Sequence, residues 1–344
     1  MKIYIFGAGA SLGSQNNEYP LSSPLRAPLI DELFDGRYKE HSLYMLTSSE
    51  LGVFRQEIVL QKNNSVEEWL GEKWKKIEEI KSPIHKKSQL RLFGRIVMYI
   101  WNTLRNVSNT YSANNIYRSF LNSLYVEDEE FGIINFNYDT LLDRAYEEVF
   151  HTSFLSMSSY LEANFIKPHG SVNWVIEKRE NDPIVPTNSD MKTRIDLAMD
   201  NFFMNGAIPI KTLRVLRPSL EQIRYTDIAN VWDNLRMDYF YPLVFLPLAQ
   251  KKLDHFINFY EQVIEKGKEM VKQADEIYII GYRAKDDIIK DLLSHIPKKP
   301  VLHVVSFNEA ETISDNIRSW APNFQKGKII NGGFSEFNRL HSLI

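Results

Sequence analysis

The sequence predicts an α/β protein with a doubly wound, Rossmann-like parallel sheet and a helical insertion subdomain. Three observations predict this class. Short Val/Ile-rich runs alternate with helices late in the chain, a strand runs into glycines at the start, and residues 42–130 carry mainly helical signals. Such alternation is typical of parallel sheets with both faces covered. We expect one domain over 1–344, with its core in 1–36 and 131–344 and the insertion at about 42–130.

The first strand is predicted at 2–6 and leads directly into the segment Gly7-Ala8-Gly9-Ala10-Ser11. A polar loop follows, and a helix is expected to begin near Leu29. Within the insertion, apolar residues recur at helical spacing in two series. These are Leu70, Trp74, Ile77 and Ile80, and then Leu90, Phe93, Val97, Ile100 and Leu104.

Strand character returns at 131–136, followed by a helix through Phe150 and a short strand that ends at Lys167-Pro168-His169-Gly170. The stretch from Glu177 to Asp238 is polar and irregular and is expected to contain one or two helices. Strands and helices then alternate regularly to the end of the sequence. Strands are predicted at 243–246, 276–280, 301–305 and 328–330, and helices at 251–273, 286–295 and 310–320, before a closing helix.

The composition excludes several kinds of chemistry. The 344 residues include no cysteine, which excludes disulfides, a thiolate nucleophile, Cys-ligated zinc and iron–sulfur clusters, and fits a reducing cytoplasm. The net charge of -3 carries no global signature of binding to nucleic acid or anionic membranes. No apolar run approaches the roughly 20 residues that span a bilayer. We expect a cytoplasmic protein without a metal centre, a membrane span or direct nucleic-acid contacts.

The glycines after the first strand form the first candidate site, because ligands of open parallel sheets bind beyond the carboxyl ends of strands. Gly7 and Gly9 would let the backbone approach a pyrophosphate, and the next helix could point its N–H groups at it. Gly13 comes one position late for the dinucleotide fingerprint. A tight strand-to-loop turn is the alternative interpretation.

The second candidate site is the run from Asn135 to Leu142, where a strand becomes a helix. Asn137 and Asp139 place an amide and a carboxylate at this exit. Helix capping near Thr140 would use only one of them. Capping and ligand binding both stay open at this point.

The third candidate is His169, which lies between Pro168 and Gly170 at a strand exit, with Ser171 and Asn173 nearby. Imidazole titrates near neutral pH and therefore suits general acid–base catalysis. A lone histidine is more often structural, but this one lies in a polar turn and not on an apolar face.

The fourth candidate combines Gly281-Tyr282 with Phe307-Asn308-Glu309, each after a late strand. A glycine permits close approach of a ligand, and an asparagine can bind ribose hydroxyls or base edges. Ordinary turn chemistry explains this pair at least as well. The adjacent acids Asp286 and Asp287 are expected to start a helix.

Taken in order, these segments resemble the SIR2-like branch of the sirtuin superfamily, and most closely its NAD-hydrolysing members from bacterial antiphage defence. The matching motifs are GAGAS at 7–11, SVEEWL at 65–70, NYDTLLD at 137–143, KPHGSVNW at 167–174, ADEIYIIGY at 274–282 and FNE at 307–309. The motifs cover most of the chain in patches, and the ordered set is more specific than any one of them.

The resemblance implies a role for each candidate residue. In the catalytic set, Asn137 positions the water and the ribose, Asp139 contacts the nicotinamide carboxamide and His169 is the general base. NAD⁺ is then a substrate, and no further cofactor is implied. The implied binding residues are Gly7, Ala8, Gly9 and Ser11 near the phosphates, Arg26 as a candidate for the family's arginine, and Gly281, Tyr282 and Asn308 at the adenosine half.

Three departures from the family pattern qualify these roles. The four-cysteine zinc module of protein-deacylating sirtuins cannot exist here, which argues against protein deacylation. Arg283 stands where relatives often have serine. The arginine and acid loop that usually follows GAGAS is not obvious, although Arg26 is a candidate for its arginine.

The resemblance therefore implies an NAD⁺ glycohydrolase that yields nicotinamide and ADP-ribose and depletes NAD⁺ in antiphage defence (abortive infection). It also implies a separately encoded sensor or ATPase partner and a homo- or hetero-oligomer. Two alternatives remain, namely a non-catalytic regulatory subunit that binds NAD⁺ or ADP-ribose, and an ADP-ribosyltransferase. A pure binder has no need of a base such as His169.

Overall fold

A computed structural model describes residues 1–29, 32–34, 36–38, 66–177, 257–294 and 296–341, with short pieces at 52, 193, 196, 213–215 and 240–242. Its strands, in chain order, are β1 (Lys2–Phe6), β2 (Phe131–Asn135), β3 (Phe165–Ile166), β4 (Trp174–Glu177), β5 (Leu213–Val215), β6 (Phe240–Pro242), β7 (Glu276–Ile280), β8 (Val301–Val305) and β9 (Gln325–Ile330).

The helices flank the strands and alternate with them in the last third of the chain. They are α1 (Ala8–Ser14), α2 (Val66–Glu79), α3 (Pro83–Ser108), α4 (Ile116–Glu127), α5 (Leu141–Phe150), α6 (Met157–Glu162), α7 (Ile257–Gln273), α8 (Asp287–Ser294), α9 (Ala310–Trp320) and α10 (Gly333–His341). A 3₁₀ turn at Gly36–Tyr38 lies between α1 and α2. Within the described ranges, no helix is long and apolar enough to cross a membrane.

Six strands form one all-parallel sheet in the order β3-β2-β1-β7-β8-β9. The chain adds β2 and β3 on one side of β1 and then returns to add β7, β8 and β9 on the other side. The point where this order reverses lies between β1 and β7. The predicted α/β class with a doubly wound, Rossmann-like sheet is confirmed.

Both faces of the sheet are buried at its central strands β1, β2, β7 and β8, which explains why these strands are nearly continuously apolar. Along β1, Tyr4 and Phe6 enter one hydrophobic cluster, whereas Ile3 and Ile5 enter the other. Successive side chains of a strand point to opposite faces, so both clusters draw on the same strand. Aromatic residues of α4 and α10 cover the first face, namely Phe120, Phe334 and Phe337. Aliphatic residues of α7, α8 and α9 cover the second, among them Met270, Ile289 and Ile313.

Several predicted elements match the structure residue for residue. Strands at 2–6, 276–280 and 301–305 and the helix at 310–320 have the predicted bounds. The predicted strand at 328–330 is longer and begins at Gln325. These segments combine a clear period with flanking polar residues, so local pattern was sufficient to locate them.

One local prediction was wrong. We expected a long loop after the first glycines and a helix only near Leu29, but α1 begins at Ala8, directly after Gly7. The glycines allow this immediate turn, because a Cβ atom at Gly7 would lie 2.6 Å from the Cβ of Tyr282. Near Leu29, the described backbone shows a tight turn in which Glu32 N–H donates to Leu29 O at 2.9 Å.

The helices α2, α3 and α4 lie between β1 and β2 in the chain, inside the predicted insertion. Their buried side chains belong to the same hydrophobic cluster as the β1 face, including Phe93, Val97 and Phe120. The first part of the predicted insertion, up to residue 65, lies outside the described residues apart from residue 52.

The region from Glu177 to Asp238 was predicted to be irregular with one or two helices, and β5 lies within it. Together with β4 and β6 at the two ends of this region, β5 forms a three-stranded antiparallel sheet with the order β5-β4-β6, which was not predicted. Its strands are short and lie far apart in sequence, so no local hairpin signal marks them. The strand predicted at 243–246 and the first part of the helix predicted at 251–273 lie outside the described residues; the helix is described from Ile257.

Candidate functional site

The carboxyl ends of the central strands finish level with one another. Phe6 pairs with Asn135 on one side and with Ile280 on the other, and Ile280 pairs in turn with Val305. The segments that follow these strands therefore emerge at one edge of the sheet. Three of the four predicted candidate segments, those after β1, β2 and β7, begin beside the β1–β7 reversal, and the His169 segment follows β3. In open α/β sheets, ligands bind in the crevice at this reversal.

The glycines after β1 and β7 pack backbone against backbone. Gly7 N–H donates to Ile280 O at 3.0 Å, and Gly9 N–H donates to Gly281 O at 2.9 Å. Gly281 has a φ of 59°, and a Cβ atom there would overlap the main-chain nitrogen of Ala10. The close approach that these glycines permit is therefore between two loops of the protein. A phosphate contact at Gly7 or Gly9 stays a prediction, and their own N–H groups are used internally.

Asn137 is anchored through its side-chain nitrogen. Nδ2 donates to Gly7 O at 2.9 Å and to Ser11 Oγ at 3.0 Å. The carbonyl of Gly7 can only accept a hydrogen bond, so it fixes which end of the amide faces it. Every hydrogen bond of this side chain to described residues runs through Nδ2, and the oxygen Oδ1 is left on the opposite side. The amide is thus oriented and presents an acceptor.

Helix α4 contributes a hydroxyl to the same cluster. The Tyr117 hydroxyl lies 3.1 Å from Ser11 Oγ and 3.5 Å from Asn137 Nδ2. Burial raises the pKa of Tyr117 well above its usual range, and the nearby Asp139 adds to this effect. The hydroxyl therefore stays protonated. Tyr117 was not predicted from the sequence, because a tyrosine on a helix in the predicted insertion carries no local sign of where its side chain points.

Asp139 is buried, two residues after Asn137, and its side chain binds the backbone at the start of α5. Its Oδ1 accepts a hydrogen bond from Leu141 N–H at 3.1 Å, at the start of α5. Burial raises the pKa of Asp139, and the positive charge of Lys167 partly opposes this effect. The N-cap residue of α5 is Thr140, which makes no side-chain cap bond, so Asp139 contacts the helix start from the preceding position. Contact of Asp139 with a carboxamide stays a prediction.

A fully buried ion pair joins the segments that follow β2 and β3. Lys167 Nζ donates to the main-chain oxygen of Asp139 at 2.6 Å and lies 3.0 Å from Asp143 Oδ2, and both side chains have no exposed surface. Tyr160 OH donates to Asp143 Oδ1 at 2.6 Å. Lys167 follows β3 and Asp143 lies in α5, so the pair ties the exit of β3 to the exit of β2.

The imidazole of His169 lies against the β2 exit. Its ring is 4.9 Å from the ring of Phe136, nearly perpendicular to it, and 5.7 Å from the ring of Tyr138, nearly parallel. Phe136 and Tyr138 flank Asn137 in the chain, so both neighbours of the anchored amide contact His169. The ring of Tyr282 stacks on the other side of Phe136 at 4.5 Å. Phe136 thus connects the β7 exit with His169.

Asp286 is a second residue whose place in the site was missed. Its Oδ2 lies 3.6 Å from Nε2 of His169, and its Oδ1 accepts from Ile289 N–H at 3.0 Å. The sequence analysis assigned it only to the start of a helix, which the second contact confirms. Its local pattern carried no signal for the first contact.

The remaining predicted residues lie further from this cluster. Arg26 is buried and donates to the main-chain oxygens of Leu12 and Tyr19, so its guanidinium holds its own loop together. Asn308 is exposed after β8, one strand beyond β7. Arg283 pairs with Glu309, with Nε 3.4 Å from Oε2.

The fold and this edge together define a class: a Rossmann-like α/β protein with polar side chains collected at the strand-order reversal. Comparison with known proteins adds no narrower assignment, because no protein-family model and no curated protein sequence matches the chain.

Proposed function

We propose that this protein is an NAD⁺ glycohydrolase related to the sirtuin-like enzymes. The observation that carries the proposal is the arrangement of Asn137 and His169. The amide is locked through its nitrogen, and the two residues beside it contact the imidazole. Both lie at the edge where a strand order of this kind accepts a dinucleotide.

The reaction needs few groups. The bond between the anomeric carbon of the ribose and the nicotinamide nitrogen breaks, and the bonding electrons neutralise the pyridinium, so no general acid is required. The transition state resembles an oxocarbenium ion, as in glycoside hydrolysis. Water then adds to the anomeric carbon and loses a proton, giving ADP-ribose, nicotinamide and one proton.

The residues at this edge suit those steps. The oxygen Oδ1 of Asn137 is free to accept from the incoming water or a ribose hydroxyl. His169 takes the proton from the water, a role worth roughly 10²–10⁴-fold in rate. Asp139 would hold the carboxamide of nicotinamide, and burial raises the pKa of its carboxyl group. Neither a metal nor a zinc module has a part in this scheme.

For binding, the proposal keeps Gly7, Ala8, Gly9, Ser11 and Arg26 at the phosphate side. It keeps Gly281, Tyr282 and Asn308 at the adenosine side. The contacts of Arg26 with its own loop favour an indirect role, in which it shapes the loop between α1 and the 3₁₀ turn.

By analogy with the family that the motifs resemble, the enzyme would act in the cytoplasm and deplete NAD⁺ after phage infection. Unrestrained activity would be toxic to the host. A separately encoded sensor or ATPase partner, or assembly into a homo- or hetero-oligomer, would then keep it inactive until infection.

The test is nicotinamide release from NAD⁺, followed by chromatography, for the wild type, His169→Ala and Asn137→Ala. Matched controls are His85→Ala and Asn122→Ala, which change exposed residues of the same types. The proposal expects release by the wild type and both controls, alone or with the products of neighbouring genes added, and at least a roughly 10²-fold loss in the two site variants.

Two other outcomes identify the alternatives. Binding of NAD⁺ by calorimetry without release, also in the presence of the products of neighbouring genes, would support a regulatory binding subunit. Label from ³²P-NAD⁺ that appears on protein or nucleic acid would support ADP-ribosyl transfer.

A further inference from the structure

Asp286 lies on the loop after β7, directly before α8, and its two carboxylate oxygens have different neighbours. Oδ1 accepts from Ile289 N–H at 3.0 Å and caps the helix. Oδ2 lies 3.6 Å from Nε2 of His169, which is ion-pair distance but longer than a hydrogen bond. The Asp286 side chain is 24% exposed and that of His169 is 4% exposed. A partly exposed carboxylate therefore lies beside a buried imidazole.

Capping alone does not require a carboxylate. Asparagine, serine and aspartate cap helices about equally well. A negative charge also interacts favourably with the positive end of the helix dipole, but Asp287, in the first turn of α8, already supplies one. The surroundings of Asp287 differ from those of Asp286, because the Asp287 side chain is 98% exposed and pairs with Lys290 at 3.3 Å.

The imidazole of His169 has both aromatic neighbours and a carboxylate neighbour. Phe136 and Tyr138 hold its ring by aromatic contacts, which fix the plane but supply no charge. A base that takes a proton from water becomes a cation, and a cation in a buried site is costly unless an anion lies nearby. Asp286 comes from the segment after β7, whereas the aromatic residues that contact the ring, Phe136 and Tyr138, come from the segment after β2.

We propose that Asp286 is the positioning residue of His169. It orients the imidazole and stabilises the imidazolium that forms when water is deprotonated. This inference rests on the proposed glycohydrolase reaction. Asp286 touches neither the substrate nor the reacting atoms and acts only through His169.

The experiment compares Asp286→Asn, Asp286→Glu and the control Asp287→Asn in nicotinamide release and thermal unfolding. Asparagine keeps the cap and the shape but removes the charge, whereas glutamate keeps the charge but is a poor cap. A positioning role predicts that turnover falls further in Asp286→Asn than in Asp286→Glu. A capping role alone predicts the opposite order in both turnover and stability.

We expect kcat to fall on the order of 10-fold in Asp286→Asn, with KM and the unfolding temperature nearly unchanged. This loss is smaller than the roughly 10⁴-fold effect at an aspartate hydrogen-bonded to its catalytic histidine, because 3.6 Å is an ionic contact only. Asp287→Asn should retain wild-type turnover. Wild-type kcat in Asp286→Asn would overturn the inference.

A second measurement separates this inference from the proposed function. In protein with ¹⁵N-labelled histidine rings, the His169 signals are assigned from their absence in His169→Ala. Asp286→Asn should move the ring-nitrogen shifts of His169, and Asp287→Asn should leave them in place. Unmoved shifts overturn the Asp286–His169 coupling. Moved shifts in a protein that releases no nicotinamide, even with the products of neighbouring genes added, would reject the glycohydrolase and keep the coupling.

Discussion

The side-chain nitrogen of Asn137 donates to the main-chain oxygen of Gly7 at 2.9 Å, across 130 residues of sequence. This bond joins the exits of two neighbouring strands, β2 and β1. It also decides which end of the amide faces the crevice. The position of the acceptor Oδ1 is therefore set by the backbone of another strand and does not depend on a ligand.

Ser11→Ala tests how much of this orientation comes from the serine. The substitution removes one acceptor of Asn137 Nδ2 and the partner of the Tyr117 hydroxyl, but it leaves the Gly7 bond in place. We expect nicotinamide release to fall less than in Asn137→Ala. The free energy of unfolding should fall by about 1–3 kcal/mol, because buried polar groups lose a partner.

Urea unfolding and the release assay measure both effects. Ser319→Ala, which changes an exposed serine bonded within its own helix, is the control. Equal losses of activity in Ser11→Ala and Asn137→Ala would mean that the Gly7 bond alone cannot orient the amide.

Gly281→Ala should be severely destabilising. Gly281 has a φ of 59°, and the added Cβ would overlap the backbone of Ala10. Gly333→Ala is the matched control, because its φ is also positive, at 74°, but its added Cβ would come no nearer than 3.8 Å to another atom. The control should lose about 1–2 kcal/mol from the backbone conformation alone. Gly281→Ala should lose clearly more in the same unfolding measurement; similar losses would refute the steric argument.

Lys167→Met should cost about 3–5 kcal/mol of stability, because it leaves the carboxylate of Asp143 buried without its cation. Adding Asp143→Leu should recover part of that loss, since the unpaired charge is then gone. Lys290→Met, which breaks an exposed pair with Asp287, should cost at most about 1 kcal/mol. Chemical denaturation of the four proteins provides the values. A double variant less stable than Lys167→Met would contradict the charge argument.

His341 should make the fold sensitive to acid. Burial lowers the pKa of His341 below its usual value of 6.5, and Glu127 only partly opposes this effect. The unfolded chain therefore binds more protons than the folded chain between the lowered pKa and 6.5, so stability falls as the pH drops through that window. Wild-type protein should lose stability relative to His341→Gln between pH 7 and pH 5.5. A pH-independent difference in thermal unfolding would rule this out.

Much of the fold was predictable because its evidence is local. The strands at 2–6, 276–280 and 301–305 are short apolar runs between polar segments, and each was located to the residue. The antiparallel sheet of β4, β5 and β6 was not predicted, since its strands pair over long separations. The prediction that the first helix begins only near Leu29 was wrong, because the turn at Gly7 depends on packing against Tyr282.

The residues of the candidate site also divide into those that the sequence predicts and those that it does not. Asn137, Asp139 and His169 were recognisable as polar residues at strand exits. Tyr117 and Asp286 were not, because one looks like an ordinary helix residue and the other like an ordinary helix cap, and each acquires its place only by contact with a distant segment.

By itself, the sequence determined the strand–helix alternation and the polar residues that follow each strand. Hydrophobic periodicity and turn chemistry act over a few residues, so they are readable along the chain. The tertiary structure alone decided which exits meet: Gly7 with Gly281, Asn137 with Ser11, and His169 with Asp286. These contacts depend on the order in which the strands pair, and that order is set by packing between segments over a hundred residues apart.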